Sequence, residues 1–95
     1  MDLTDLRKQL DDIDRNLVLL TEQRLAVCEQ VAEYKITNHK PVLDQAREQE
    51  KLAAVRALTK DDRYKDAVEH LFVQIMEDSR ALQTAMIENR KTEWE

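Results

Sequence analysis

An apolar seam runs along the first third of the chain and is interrupted once, by an arginine. Apolar residues recur at alternating steps of three and four, which places ten positions on one face of a predicted helix. Nine of these are apolar, as in the contact face of a coiled coil, and the tenth is Arg24. Because an unpaired guanidinium is costly to bury, Arg24 is expected to meet an anion of the protein or of a ligand. The seam comprises Leu3, Leu6, Leu10, Ile13, Leu17, Leu20, Arg24, Val27, Val31 and Tyr34.

The chain contains no glycine, and this restricts the fold class further. Its 95 residues include a single proline, Pro41, and are dominated by strong helix formers. Tight hairpin turns and glycine-rich phosphate loops are therefore excluded. The sequence predicts an all-α protein with a single domain over residues 1–95. A chain of this length buries only about 60 to 65% of its unfolded surface, so an isolated protomer is expected to be marginally stable.

Three helices are predicted, over about residues 4–36, 45–59 and 63–90. Thr4 is the predicted N-cap of the first helix, and Asp44 is that of the second. The first helix would be about 50 Å long, which exceeds the width of a domain of this size. Such a helix, carrying an apolar seam, is what an intertwined antiparallel dimer would supply. A second apolar row beside the seam is formed by Val18, Leu25 and Ala32, and the second helix is predicted to turn inward Leu52, Val55 and Leu58.

Charge and hydropathy exclude several function classes. The net charge is −5 and no basic run is present, which argues against a nucleic-acid surface. No apolar stretch approaches the roughly 18 residues that span a bilayer, and the polar N-terminus does not resemble a signal peptide. We therefore expect a cytoplasmic protein without membrane contact. The lone cysteine, Cys28, forms no internal disulfide and is interpreted as a small packing residue.

Polar side chains at core-facing positions form the candidate site. Arg24 and Lys35 are eleven residues apart, close to three helical turns, so they share one face about 16 Å apart and could hold one small molecule. Ser79 and Gln83, four residues apart, interrupt the apolar stripe of the third helix; they could instead form an interhelical hydrogen-bond bridge. Together with Arg47, these residues mostly donate hydrogen bonds, which suits a small dianion better than acid–base chemistry.

The chain lacks the residue patterns of most other catalytic centres. No arrangement of serine, histidine and aspartate suggests an activated nucleophile, and no cofactor fingerprint is present. His39 and His70 have no other ligand at metal-binding spacing and are predicted to lie on the surface. We expect neither a cofactor nor a metal.

Arg7 lies too far along the first helix to join the same site within one chain. It precedes Arg24 by 17 residues, about 25 Å, and Lys35 by 28 residues, about 42 Å. If Arg7 takes part, it does so from a second chain. The structural alternatives stay open at this point: Arg24 could set helix register by pairing with a glutamate, while Arg7, Lys35, Arg47 and Glu48 could be solvated surface residues.

The motifs resemble the all-helical chorismate mutases over nearly the whole chain, from about Leu6 to Gln83. The resemblance implies an intertwined homodimer of three-helix protomers that converts chorismate, a dianion, to prephenate in phenylalanine and tyrosine biosynthesis. This unimolecular Claisen rearrangement needs no catalytic base, because one carbon–oxygen bond breaks as a carbon–carbon bond forms. The matching residues, in order, are Arg7, Ile13, Asp14, Leu17, Leu20, Arg24, Val31, Lys35, Val42, Asp44, Arg47, Glu48, Ser79 and Gln83.

The resemblance also implies a role for each site residue. Arg24 and the partner chain's Arg7 would grip the substrate carboxylates, and Lys35 and Gln83 would donate to the ether oxygen. The remaining contacts would come from Arg47 and Ser79 at the carboxylate end, and from Glu48 and the backbone N–H of Asp44 at the ring hydroxyl.

Two other functions remain open on the sequence. An isochorismate-pyruvate lyase uses the same scaffold, also proceeds through a pericyclic step and needs similar cations. A non-catalytic helical interaction module would use the seam to pair with a partner helix, and it predicts a carboxylate facing Arg24 instead of a small-molecule site.

Overall fold

The computed structural model describes residues 2–94, and side chains for residues 2–91, as helices joined by short connections. No strand occurs in this part of the chain, so the predicted all-α class is confirmed. The elements in chain order are α1 (Leu3–Thr37), α2 (Gln45–Leu58), a 3₁₀ turn (Asp62–Tyr64) and α3 (Lys65–Trp94).

Helix α1 begins at Leu3, one residue before the start that the sequence predicted. Its N-cap is Asp2, whose carboxylate accepts a hydrogen bond from the backbone N–H of Asp5 at 2.9 Å. The prediction of Thr4 as the cap was wrong, because an aspartate two residues upstream satisfies the free N–H groups at least as well. The helix therefore includes Leu3, the first residue of the seam.

Helix α1 ends in a left-handed turn made without glycine. His39 has φ of 54°, the only positive φ among the described residues, and it follows the C-cap Asn38. The N–H of Lys40 donates to the carbonyl of Lys35 at 2.8 Å, and the N–H of His39 donates to that of Ile36 at 3.4 Å. This pair of bonds is a Schellman motif. It reverses the chain and returns the following loop to the end of α1.

Helix α2 begins where the sequence predicted it. The carboxylate of Asp44 accepts from the backbone N–H of Arg47 at 3.0 Å, which confirms Asp44 as the N-cap. The helix ends at Leu58, and a side chain predicted to face inward there is instead 78% exposed. Because Leu58 is the last helical residue and Thr59 turns the chain away, it lies beyond the packed face. Of the three predicted inward residues, Val55 is buried and Leu52 is half-buried.

The corner between α2 and α3 is fixed by charged groups. Hydrogen bonds from Arg56 to Asp66 and to Glu69 raise the pKa of Arg56. Asp61 caps the 3₁₀ turn, and its hydrogen bonds with the Arg63 side chain and backbone N–H lower the pKa of Asp61. These contacts hold the start of α3 against the end of α2.

Helix α3 is the central element, because it packs against both α1 and α2. Contacts with α1 follow the same order along both helices, whereas contacts with α2 run in reverse order, so α3 is parallel to α1 and antiparallel to α2. It continues to Trp94, past the predicted end near residue 90, and Arg90 near this end binds Glu33 of α1. Glu95 lies outside the described residues.

The chain has a small core and a long projecting helix. Among the described residues, the buried apolar side chains are Ala32, Val55 and Met76. The described chain extends over 60 × 27 × 14 Å, and every residue of α1 before Arg24 is exposed. None of the described helices combines the length and the apolar character needed to cross a bilayer.

Candidate active site

A cavity of about 180 Å³ lies where the three helices approach each other. Helix α3 contacts both neighbours, and α1 and α2 face each other across the cavity. Its lining includes seven of the eight predicted site residues, all except Arg7. The residues around it are Arg24, Cys28, Val31, Lys35, Val42, Asp44, Arg47, Glu48, Lys51, Met76, Ser79, Arg80 and Gln83.

Arg24 is held by a serine and not by a carboxylate. Its guanidinium Nη1 donates to Ser79 Oγ at 2.9 Å and approaches Cys28 Sγ at 3.7 Å. Ser79 is buried, and its hydroxyl donates to the carbonyl of Ile75 at 2.9 Å. The serine proton is therefore committed to the backbone while its oxygen accepts from the arginine. This arrangement orients Arg24 without neutralising its charge.

Lys35 is held by two carbonyl oxygens. Its ammonium Nζ donates to the backbone oxygen of Val42 at 2.7 Å and to Gln83 Oε1 at 3.2 Å. An ammonium has three N–H groups and no acceptor, so the Gln83 atom that faces it must be the carbonyl oxygen. One N–H of Lys35 and the amide N–H₂ of Gln83 then have no hydrogen-bond acceptor within residues 2–91. Both donors remain available beside the cavity.

Ser79 and Gln83 thus form the interhelical bridge that their positions also predicted. Each is buried in α3, and each is hydrogen-bonded to a cationic side chain of α1. This bridge fixes the positions of Arg24 and Lys35 beside the cavity.

Glu48 projects from the first turn of α2 toward α3. Both of its carboxylate oxygens accept from Nη1 of Arg80, and both side chains are mostly shielded from solvent. Arg47, the preceding residue, lies on the rim with 63% of its side chain exposed and is 3.8 Å from Glu50. Asp44 uses its carboxylate to cap α2.

The cavity is cationic although the chain is acidic overall. Five cationic side chains and two carboxylates line it, in a chain whose net charge is −5. Within residues 2–91, no carboxylate lies within ion-pair distance of Arg24 or Lys35, since their partners are neutral oxygen and sulfur atoms. The alternative in which Arg24 pairs with a glutamate is therefore wrong for the described chain. Such a site favours a small anion.

Arg7 is not part of this cavity in one protomer. It is exposed on the projecting portion of α1 and forms no hydrogen bond or ion pair with the described residues. Arg24 lies 17 residues further along the same helix, about 25 Å away. A single chain does not bring Arg7 to the other site residues.

Comparison with known proteins identifies the family. A family model described as chorismate mutase type II matches residues 6–84, which is most of the chain. The chain belongs to the chorismate mutase type II family. Its all-helical fold agrees with that assignment, and membership supports a chorismate mutase-type function in general. No curated protein and no solved structure matches the chain.

Four groups of this chorismate mutase type II chain were missed by sequence reasoning: Cys28, the Val42 carbonyl, Lys51 and Arg80. Cys28 could have been found, because it lies four residues after Arg24 and therefore on the same helical face. Lys51 follows Arg47 by the same spacing and lines the same cavity. Val42 was one of the matching residues, but nothing in the sequence marked its carbonyl, since a main-chain group has no residue type of its own. Arg80 resembled an ordinary solvated arginine next to Ser79.

Proposed function

We propose that this protein is a chorismate mutase that rearranges chorismate to prephenate within phenylalanine and tyrosine biosynthesis. The observation that carries the proposal is the set of cations and free N–H donors around the cavity, with no carboxylate paired to Arg24 or Lys35 within residues 2–91. The rearrangement requires no base, nucleophile or redox partner. It requires a bound substrate conformation in which the side chain lies over the ring, and donors at the oxygen where charge develops.

The carboxylates of the substrate are assigned to Arg24 and to Arg7 of a second protomer. A planar guanidinium can bind a carboxylate through two parallel hydrogen bonds. The resemblance implied a substrate contact for Ser79, but its hydroxyl accepts from Arg24 and donates to the carbonyl of Ile75. These bonds support a role behind the arginine, holding it in place. Arg47, on the rim, would add a further positive charge at this end.

The ether oxygen of the substrate is assigned to Lys35 and Gln83. As the carbon–oxygen bond breaks, negative charge grows on this oxygen, so donors fixed there stabilise the transition state more than the ground state. The hydrogen bonds of Lys35 to Val42 and Gln83 fix the ammonium before the substrate binds. The free N–H of Lys35 and the amide of Gln83 can then converge on one acceptor.

The ring hydroxyl is assigned to Glu48 and to the backbone N–H of Asp44. A hydroxyl is both donor and acceptor, so it suits a carboxylate on one side and an N–H on the other. Glu48 lines the cavity, and Asp44, the N-cap of α2, lies one turn before it.

We further propose an intertwined homodimer of single-domain protomers. Seam residues from Leu3 to Leu20 are between 44% and 59% exposed in one chain, far more than a stable small protein leaves uncovered along one helix. A second copy packed along the seam would cover these residues. It would also bring an Arg7 to each site, as the assignment of carboxylate contacts requires.

The proposal is tested first by turnover. Chorismate and isochorismate are supplied separately to the unsubstituted protein, and prephenate, pyruvate and salicylate are measured. We expect prephenate from chorismate and negligible pyruvate from isochorismate. Salicylate with pyruvate as the main products would favour the lyase, and no conversion of either substrate would refute the proposed function.

Sharing of the site is tested by mixing Arg7→Ala with Arg24→Ala under conditions that exchange subunits. Each variant alone lacks one cation at both sites, whereas a mixed dimer has one site with neither substitution. At statistical exchange, about a quarter of the original activity should return, because half of the dimers are mixed and each has one intact site. Confirmed exchange without recovery would contradict a site shared between chains.

A further inference from the structure

The Arg80–Glu48 pair is a cationic and an anionic group placed together at the cavity. Nη1 of Arg80, on α3, is within hydrogen-bond distance of both carboxylate oxygens of Glu48, on α2. Their side chains are only 31% and 23% exposed, and both line the cavity. This pair is thus more shielded than the surface ion pairs of the chain, such as Arg47 with Glu50.

We propose that Arg80 is a positioning residue for the reaction: it orients Glu48 and cancels its charge, so that a carboxylate can serve in a site for a dianion. The inference rests on the proposed function, in which Glu48 accepts a hydrogen bond from a substrate hydroxyl. It assigns a role to a residue that contacts Glu48 and not the reacting atoms.

The physical conflict that Arg80 resolves follows from the charges. A carboxylate is a strong acceptor for a hydroxyl, but in a partly dehydrated cavity it repels the two carboxylates of the substrate. Placing a guanidinium on the same carboxylate removes most of that repulsion. Because a carboxylate oxygen has more than one lone pair, the contact with Arg80 still leaves Glu48 able to accept from a hydroxyl.

The contact also fixes the orientation of Glu48. A glutamate side chain in the first turn of a helix has several rotamers available, and ordering it on binding would cost affinity. The bond to α3 selects one rotamer before the substrate arrives. Arg80 directly follows Ser79, so the turn of α3 that holds Arg24 also holds Glu48.

The test compares Arg80→Met, Glu48→Gln and the double variant by KM and kcat for chorismate. Arg80→Met leaves an unneutralised carboxylate, and we expect KM to rise about tenfold or more. In the double variant, the amide that replaces the carboxylate has no charge yet still accepts from a hydroxyl. We expect its KM to be several-fold lower than that of Arg80→Met, because removing the charge of Glu48 relieves the effect of removing Arg80.

A conservative variant and a matched control complete the experiment. Arg80→Lys keeps the charge and one donor, so its KM should stay within about fivefold of the original value. Arg90→Met removes another arginine–glutamate pair between helices, with Glu33, which is somewhat more exposed and lies outside the cavity. It should lower the thermal midpoint without changing KM.

The outcomes separate the two proposals. A double variant with KM equal to or above that of Arg80→Met would overturn the role of Arg80 in cancelling charge, while turnover by the unsubstituted protein would leave the proposed function standing. An unchanged KM in Arg80→Met would overturn it as well. If the unsubstituted protein neither binds nor converts chorismate, the proposed function and this inference both fail.

Discussion

The two halves of α1 have the same helical geometry but different surroundings. Residues 2–23 are exposed throughout, including the leucines of the seam, whereas Arg24, Cys28 and Lys35 in the second half face α3 and the cavity. The two halves differ because the hydrogen bonds between α1 and α3 lie in the second half of α1. There, α3 packs along a row beside the seam that includes the fully buried Ala32. One helix thus carries two faces: the row contacts α3, whereas the apolar residues of the seam are at least 40% exposed and only its arginine, Arg24, is bonded to α3 within residues 2–91.

This separation explains why a polar site can sit beside an apolar surface. Seam residues in the second half, such as Val27 and Tyr34, remain more than half exposed even where α1 is packed. The two cations of α1 that line the cavity are held instead by residues of α3, Arg24 by Ser79 and Lys35 by Gln83. In the proposed dimer, the apolar seam residues would contribute stability, and the polar side chains around the cavity would contribute the chemistry. Substitutions on each face can test that division.

Charges on the seam should have the largest effect. Leu10→Asp with Leu17→Asp would place four carboxylates in the proposed dimer interface. Each would cost several kcal/mol if buried there, and together they would exceed the stability of a typical small domain. We expect a monomeric, largely unfolded chain without activity, measured by analytical ultracentrifugation and circular dichroism. Leu58→Asp, at a residue that is 78% exposed, is the control and should behave normally. A folded, active monomer with a charged seam would contradict the proposal that the seam is the contact between chains.

Removing a hydrogen-bond donor from the second half of α1 should lower turnover without changing the oligomeric state. Lys35→Ala removes a cation held at 2.7 Å from Val42 O, so kcat should fall about a hundredfold or more while the fold and the oligomeric state are unchanged. Steady-state kinetics with sedimentation at the same protein concentration measures both. Lys60→Ala, at an exposed lysine between α2 and α3, is the control. Near-normal turnover would refute the role assigned to Lys35.

Loss of the support behind Arg24 should have a smaller effect, mainly on binding. Ser79→Ala removes the acceptor at 2.9 Å, and a hydrogen bond of about 0.5–1.5 kcal/mol corresponds to a rise in KM of roughly two- to tenfold. The value of kcat should change less, because Lys35 and Gln83 are untouched. Thr84→Ala, exposed on the same helix, serves for comparison. A fall in kcat at constant KM would instead place Ser79 at the reacting atoms.

The smallest effect is expected at the end of α1. The backbone of His39 is in the left-handed conformation. Replacing this residue with glycine should stabilise the protein by about 1 kcal/mol, because glycine avoids the steric cost of that conformation. Urea unfolding measures the change. His39→Ala, which keeps the cost, should give no gain. Loss of stability in His39→Gly would show that the imidazole itself holds the turn.

Much of the local structure could be predicted from single residues. The absence of glycine and the spacing of apolar residues predicted the all-α fold, and Asp44 marked the start of α2. The prediction was wrong where two nearby residues were both suitable N-caps: Asp2 caps α1, and Thr4 does not. The burial of Ser79 and Gln83 followed from their spacing on one helical face.

The order of residues is enough to predict which helix faces are apolar, which helices form, and that cations lie where a core is expected. The partners of those cations depend on tertiary packing: Arg24 meets a serine, Lys35 meets a backbone carbonyl, and α3 packs beside the seam. Periodicity depends on the helix alone, whereas the partner of a side chain depends on how helices are rotated and shifted against each other. That register is set by the summed packing of all three helices.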